Sequence, residues 1–91
     1  GHVYCLMSDG EWQEGAVWEA LISLSHRQLN NLTILIDNNG FQGLGTVEDV
    51  ASMHDLAKKI APFNVALHAC DGHHLGSMRT ALLSRDSARP N

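Results

Sequence analysis

Residues 3–7, Val-Tyr-Cys-Leu-Met, form a short unbroken apolar run that stops at Ser8-Asp9-Gly10. A run of that length closed by turn residues predicts a buried strand followed by a turn. From about residue 14 to residue 29 the pattern changes: Val17, Leu21 and Leu24 recur at helical spacing, with Ala16, Trp18, Ala20 and Ile22 widening the stripe. That predicts a mostly buried helix of about four turns. Residues 32–36 are again short and apolar, which suits a central parallel strand covered on both sides, and they end at Asp37-Asn38-Asn39-Gly40. Residues 42–49, with Gly43 and Gly45, read as a loop. Residues 50–60 read as a helix with Met53, Leu56, Ala57 and Ile60 on one face and Pro62 beyond its end. Residues 64–69 alternate weakly and read as a third strand leading to Asp71-Gly72, and residues 75–83 read as a last helix. Residues 84–91 have the composition of a frayed end.

A strand, a helix and a second strand make a βαβ unit, with the right-handed crossover such units adopt. The expected fold class is α/β, a parallel sheet with flanking helices, and residues 1–91 form part of one domain. Ser8-Asp9-Gly10 and Asp37-Asn38-Asn39-Gly40 then fall at the carboxyl ends of neighbouring parallel strands, where open α/β sheets bind ligands.

The composition narrows the function. With 91 residues, 44% hydrophobic and 18% charged, the chain is one globular unit or a piece of one. An α/β unit this small has a thin core unless a partner or further chain covers its exposed faces. The net charge is −4, and the six Lys and Arg form no dense block, which excludes a nucleic-acid surface. No apolar stretch approaches the ~20 residues of a spanning helix, so no membrane role is expected. Cys5 and Cys70 lie within or at the end of apolar runs and read as small buried hydrophobes. Without a signal peptide or a spaced set of cysteines, the expected location is a reducing cytoplasm.

Asp9 and Asn39 are thirty positions apart, yet a βαβ unit brings the tips of its strands together. A carboxylate, a side-chain amide oxygen and a backbone carbonyl from a residue such as Phe41 are hard oxygen donors. Mg²⁺ takes such donors in an octahedron completed by water and phosphate oxygens. Gly10 lets backbone approach a ligand, and N–H groups at a helix start point at anions, so the combination suits a diphosphate held through Mg²⁺. Taken singly, Asp-Gly and Asn-Gly are ordinary turn dipeptides. The pairing of the two on one sheet edge is what turn chemistry leaves unexplained.

The order S-D-G-E-W-Q-E-G-A-V-W-E-A, then N-L-T-I-L-I-D-N-N-G-F-Q, resembles the diphosphate-binding domain of thiamine diphosphate enzymes, specifically the transketolase branch. That family carries a G-D-G triplet, about 27 residues, then Asn, often doubled; here 27 residues separate Gly10 from Asn38. The resemblance is densest over residues 3–43, and Asp71-Gly72-His73 is a softer match to a later family segment. It implies that Asp9 and Asn39 are side-chain Mg²⁺ ligands, that Phe41 gives a backbone carbonyl, and that Ser8 and Gly10 lie along the diphosphate. Ser8 stands where the family has its first glycine, and serine tolerates fewer backbone conformations. Glu14 and Glu19 match acidic residues near the family's subunit interface; the other reading is a solvated helix start. Glu11 receives no role.

The implied activity is transfer of a two-carbon ketol unit between sugar phosphates. The glutamate that activates the cofactor's aminopyrimidine belongs, in that family, to a separate pyrimidine-binding domain or subunit on the other side of a dimer interface. A homo- or hetero-dimer follows, no catalytic residue is assignable in this chain, and alone it should be inactive. The chain resembles the middle of a domain of roughly twice its size. A second reading is a non-catalytic interaction or regulatory domain that keeps the fold. A third is another thiamine diphosphate branch, such as a deoxyxylulose-phosphate synthase or a 2-oxoacid dehydrogenase subunit, though E-W-Q-E-G and W-E-A favour transketolase.

His68, Cys70, His73 and His74 invite a zinc reading, but H-x-C-x-x-H-H fits no familiar site and lacks a clear fourth ligand. They read as a strand-end and turn cluster, with His73 open to a contact with the diphosphate or a neighbouring domain. Trp12 and Trp18 read as aromatics that bury area in a core or interface rather than ligand platforms. Met7, Met53 and Met78 read as apolar fillers.

Overall fold

The computed structural model describes residues 1–38 and 56–91, together with the backbone of two short strands at 41–42 and 45–46. β1 (Val3–Ser8) and β2 (Leu32–Asp37) pair in parallel, in register from Val3 opposite Leu32 to Ser8 opposite Asp37. Between them run a 3-10 turn, Asp9–Gln13, and helix α1, Gly15–His26. The βαβ unit read from the sequence is therefore present.

Helix α1 ends three residues before the expected residue 29 because its carboxyl end closes on itself. The Gln28 N–H bonds the Ser25 carbonyl at 3.2 Å and the Leu29 N–H bonds the Leu24 carbonyl at 3.2 Å. This is a Schellman closure, in which the residue after the cap takes the left-handed conformation. Gln28 holds it at φ 51°, a position that usually belongs to glycine.

Overlapping the expected loop at 42–49, β3 (Phe41–Gln42) and β4 (Gly45–Thr46) pair antiparallel, Phe41 opposite Thr46. Helix α2 spans Leu56–Ile60, and α3 spans Leu75–Leu83 as the pattern predicts. The first part of the helix expected at 50–60, with Met53, lies outside the described residues.

Trp12, Leu21, Leu56 and Ile60 form the buried core, against which Met7, Ile34 and Ile36 of the sheet pack from one side. The start of β1 departs from expectation. Tyr4 is 59% exposed and Leu6 77% exposed, although both lie in the run read as a buried strand. Side chains alternate across a sheet, yet Val3 and Cys5 on the opposite face are exposed as well, so both faces of the strand's first four residues lack a cover and only its carboxyl end, at Met7, packs on the core. Cys5 and Cys70 are likewise exposed rather than buried, and α1 buries only Leu21 fully. The thin core expected of a small α/β unit is what appears, and it leaves apolar surface uncovered.

Two further expectations are corrected near the chain's end. Residues 64–69 form no strand; their one ladder-like bond runs from the Ala66 N–H to the Pro90 carbonyl at 2.8 Å. Pro90 has no N–H with which to extend that ladder. Residues 84–91 are fastened rather than frayed. The Asn91 N–H bonds the Leu32 carbonyl at 3.2 Å, and the Ile34 N–H bonds the Asn91 carbonyl at 2.8 Å, a parallel bridge on the free edge of β2. The Asn91 amide also accepts from the Asp86 N–H at 2.6 Å and donates to the Asp86 and Arg89 carbonyls at 2.9 and 3.0 Å. One side chain thus replaces the backbone partners that a regular element would offer. No helix among the described residues is long and apolar enough to cross a membrane.

Candidate functional site

Because β1 and β2 end in register, the 3-10 turn and Asn38 leave the sheet side by side at its carboxyl edge. Asp9, the first residue beyond β1, is 2% exposed, with its Oδ1 shielded from solvent; Gly10 beside it is also buried. Strand β3, which begins at Phe41, lies against the same 3-10 turn. The fold thus brings the turn that opens with Asp9 and the strand that opens with Phe41 into one neighbourhood. Asn39 lies outside the described residues.

The turn is built by its neighbours in a way that resemblance alone does not reveal. Ser8 sits at φ −89°, ψ 158°, ordinary extended backbone. Serine in place of glycine therefore carries no conformational penalty, and the expected restriction does not operate. Glu11, left without a role by the resemblance, accepts the Ser8 N–H on Oε2 at 2.6 Å and lies 3.3 Å from the Ser8 hydroxyl. The signal was present as Ser-x-x-Glu, the spacing of a capping box.

On its far side the turn is held by tryptophan. The Trp18 Nε1–H donates to the Trp12 carbonyl at 2.7 Å, and the two rings meet edge to face at 5.3 Å and 78°. Trp12 is 1% exposed and its own Nε1–H has no hydrogen-bond partner among the described residues. Trp18 also approaches Phe63 at 6.0 Å. Both tryptophans are packing residues, as read from the sequence, and Trp18 adds a polar bond to that role.

Glu14 occupies the position before α1 with extended backbone, its carbonyl accepting the Val17 N–H at 3.2 Å. Its side chain and that of Glu19 are exposed. The histidines serve local structure. His74 caps α3 by accepting the Ser77 N–H on Nδ1 at 3.0 Å, the His73 N–H bonds Asp71 Oδ1 at 2.9 Å, and His68 Nε2 lies 3.4 Å from Asn91 Oδ1. Among the described residues, no group of three or more His, Cys, Asp and Glu is arranged to hold a metal ion.

A buried carboxyl at the carboxyl edge of a parallel βαβ unit is the geometry to set against known families. Residues 1–91 match the family model described as transketolase, thiamine diphosphate binding domain. The chain belongs to the transketolase family. It is 35% identical over 89 residues, 98% of its length, to one subunit of the apulose-4-phosphate transketolase from Actinobacillus succinogenes, and it covers 31% of that subunit. It is 37% identical over 78 residues, 84% of its length, to the mouse transketolase-like protein 2, of which it covers 12%. A 6-deoxy-6-sulfo-D-fructose transketolase subunit from a Clostridium is 29% identical over 80 residues, 88% of this chain and 29% of that one. This transketolase-family chain therefore spans less than a third of the length of these relatives, two of which are named as subunits.

The residues present suit the family's cofactor. In this transketolase-family domain, Asp9 is a buried hard oxygen donor, set where a parallel sheet admits ligands.

Proposed function

We propose that this chain is the Mg²⁺- and diphosphate-holding portion of a transketolase-like enzyme that moves a two-carbon ketol unit between sugar phosphates. The observation that carries the reading is Asp9, nine-tenths or more buried at the joint carboxyl edge of β1 and β2. In this reading Asp9 is a side-chain ligand of Mg²⁺, with the amide oxygen of Asn39 and the Phe41 carbonyl as its companions. Gly10 and Ser8 line the diphosphate with backbone. Thiamine diphosphate, when bound, supplies the nucleophile for a ketose carbonyl and the electron sink for C–C cleavage. This chain's part is to neutralise and orient the diphosphate end, which is positioning and electrostatic work.

The reaction needs a pyrimidine-binding domain or subunit, and the subunit names of two relatives support such a division. So do the exposed apolar residues Val3, Tyr4 and Leu6 of β1, which need a cover. Glu14 and Glu19, exposed at the start of α1, are placed in this reading at the interface with the second cofactor site. Without its partner the chain is inactive.

The test is calorimetric titration of thiamine diphosphate with Mg²⁺ into the full-length protein assembled with its pyrimidine-binding partner. Asp9→Ala should lower affinity by at least about 100-fold, the upper range for loss of groups that organise a metal. Unchanged affinity overturns the metal assignment. Ketol transfer by the assembly excludes the non-catalytic alternative.

A further inference from the structure

We infer that Trp18 is a positioning residue for Asp9, acting through the backbone of the turn that carries it. The inference rests on the reading of Asp9 as a ligand and deepens it.

Asp9 opens a 3-10 turn of five residues, too short to hold its own geometry by internal bonds. Its entry is fixed by Glu11, which accepts the Ser8 N–H at 2.6 Å. Its exit is fixed by the bond from Trp18 Nε1–H to the Trp12 carbonyl at 2.7 Å, three residues beyond Asp9. Trp12 cannot swing away from that bond, because its ring is 1% exposed in the core. Trp18 is itself backed by Phe63 at 6.0 Å, just past α2, so the turn is tied to α1 and to the segment after α2 together.

The indole donor is what separates this role from packing. Trp12 fills the core with an N–H that has no partner among the described residues, whereas Trp18 is only half-buried and uses its N–H on a backbone carbonyl. A phenyl ring at 18 would keep an aromatic edge against Trp12 and lose the bond together with part of the indole's packing area, which the Phe63 variant below controls for. Groups behind metal ligands typically change metal affinity 10–100-fold when removed. Trp18 acts through three residues of backbone, so a smaller effect of about three- to tenfold is expected.

The experiment uses the full-length protein assembled with its partner, and measures Mg²⁺-dependent thiamine diphosphate affinity by calorimetry alongside the thermal midpoint without cofactor. Trp18→Phe should weaken that affinity about three- to tenfold while leaving the midpoint within a few degrees. Phe63→Leu, which loosens the packing behind Trp18 but spares its bond, should lower the midpoint and leave the affinity unchanged. Unchanged affinity in a folded Trp18→Phe protein overturns the inference, as does a loss in Phe63→Leu that matches Trp18→Phe. If Trp18→Phe does not fold, benzothienylalanine at position 18, which keeps the shape and replaces N–H by sulfur, decides by the same two readings. Asp9→Asn is the separate arm. Unchanged affinity there removes the ligand reading itself, while lost affinity there with a silent position 18 removes only the role of Trp18.

Discussion

Ser8 and Glu11 close the turn at the carboxyl end of β1, with Glu11 Oε2 2.6 Å from the Ser8 amide nitrogen and 3.3 Å from its hydroxyl. Glu11→Ala strands the Ser8 N–H and removes an acidic group from the first turn. It should cost about 1 kcal/mol, the usual value of a cap. Glu11→Gln, which keeps an oxygen acceptor, should cost less than half of that. Ser8→Gly should cost a few tenths of a kcal/mol, because glycine gains nothing at ordinary extended backbone, loses more freedom on folding and lacks the hydroxyl. Chemical denaturation of the three variants gives the order.

Gln28 holds a left-handed conformation at φ 51° to complete the Schellman closure of α1. A side chain there costs roughly 1–2 kcal/mol in contact between Cβ and the backbone, offset in part by the greater freedom glycine loses on folding. Gln28→Gly should therefore stabilise by about 0.5–1 kcal/mol, and Gln28→Val should destabilise. Thermal midpoints of the two variants would move in opposite directions.

Trp12 presents two opposed terms. Its buried N–H lacks a partner among the described residues, a penalty of about 1–3 kcal/mol that Trp12→Phe removes. The smaller ring also enlarges an apolar cavity of about 40 Å³ that already lies against Trp12, Leu21 and Ile60. The terms nearly cancel, so Trp12→Phe should lie within about 1 kcal/mol of the parent, whereas Trp12→Ala should cost about 3–5 kcal/mol. A Trp12→Phe variant that unfolds as readily as Trp12→Ala would show that the indole N–H makes a bond the smaller ring cannot replace.

Among the described residues, two groups are shifted in a direction that ties stability to acid. The His2 imidazole is held below its ordinary value of 6.5, first by burial, then by Arg85 and by the terminal amine. The Asp86 carboxyl is held below 3.8, first by the Ala88 N–H at 2.7 Å, then by its bond with Arg89 at 2.9 Å. In both cases the unfolded chain binds the proton more readily, so stability rises with pH across each window. Acidification should therefore lower stability in two stages, one below pH 6.5 and one below pH 3.8. His2→Gln should remove the first stage and Asp86→Asn the second, read from denaturation midpoints across pH.

The apolar runs at 3–7 and 32–36, the helical spacing between them and the 75–83 stripe were enough to specify the βαβ unit and the last helix, because each is a local periodicity. The same pattern put Asp9 at a strand end and, with the spacing to Asn38, pointed to the family. Ser-x-x-Glu was equally visible, and the turn uses it as the bond from the Ser8 N–H to Glu11.

What only tertiary structure decided are relations between distant residues. Apolar content cannot say whether another element covers a strand, so Leu6 and Cys5, on opposite faces of β1, look buried in sequence and are exposed in the fold. Nor can local composition show that Asn91 bridges to β2, where two backbone bonds and a set of amide bonds secure a segment that reads as frayed. The Trp18 bond to the Trp12 carbonyl belongs to the same class. Which carbonyl an indole finds depends on how the helix settles over the turn, and that is set by packing against Leu21, Leu56 and Ile60 rather than by the residues between them.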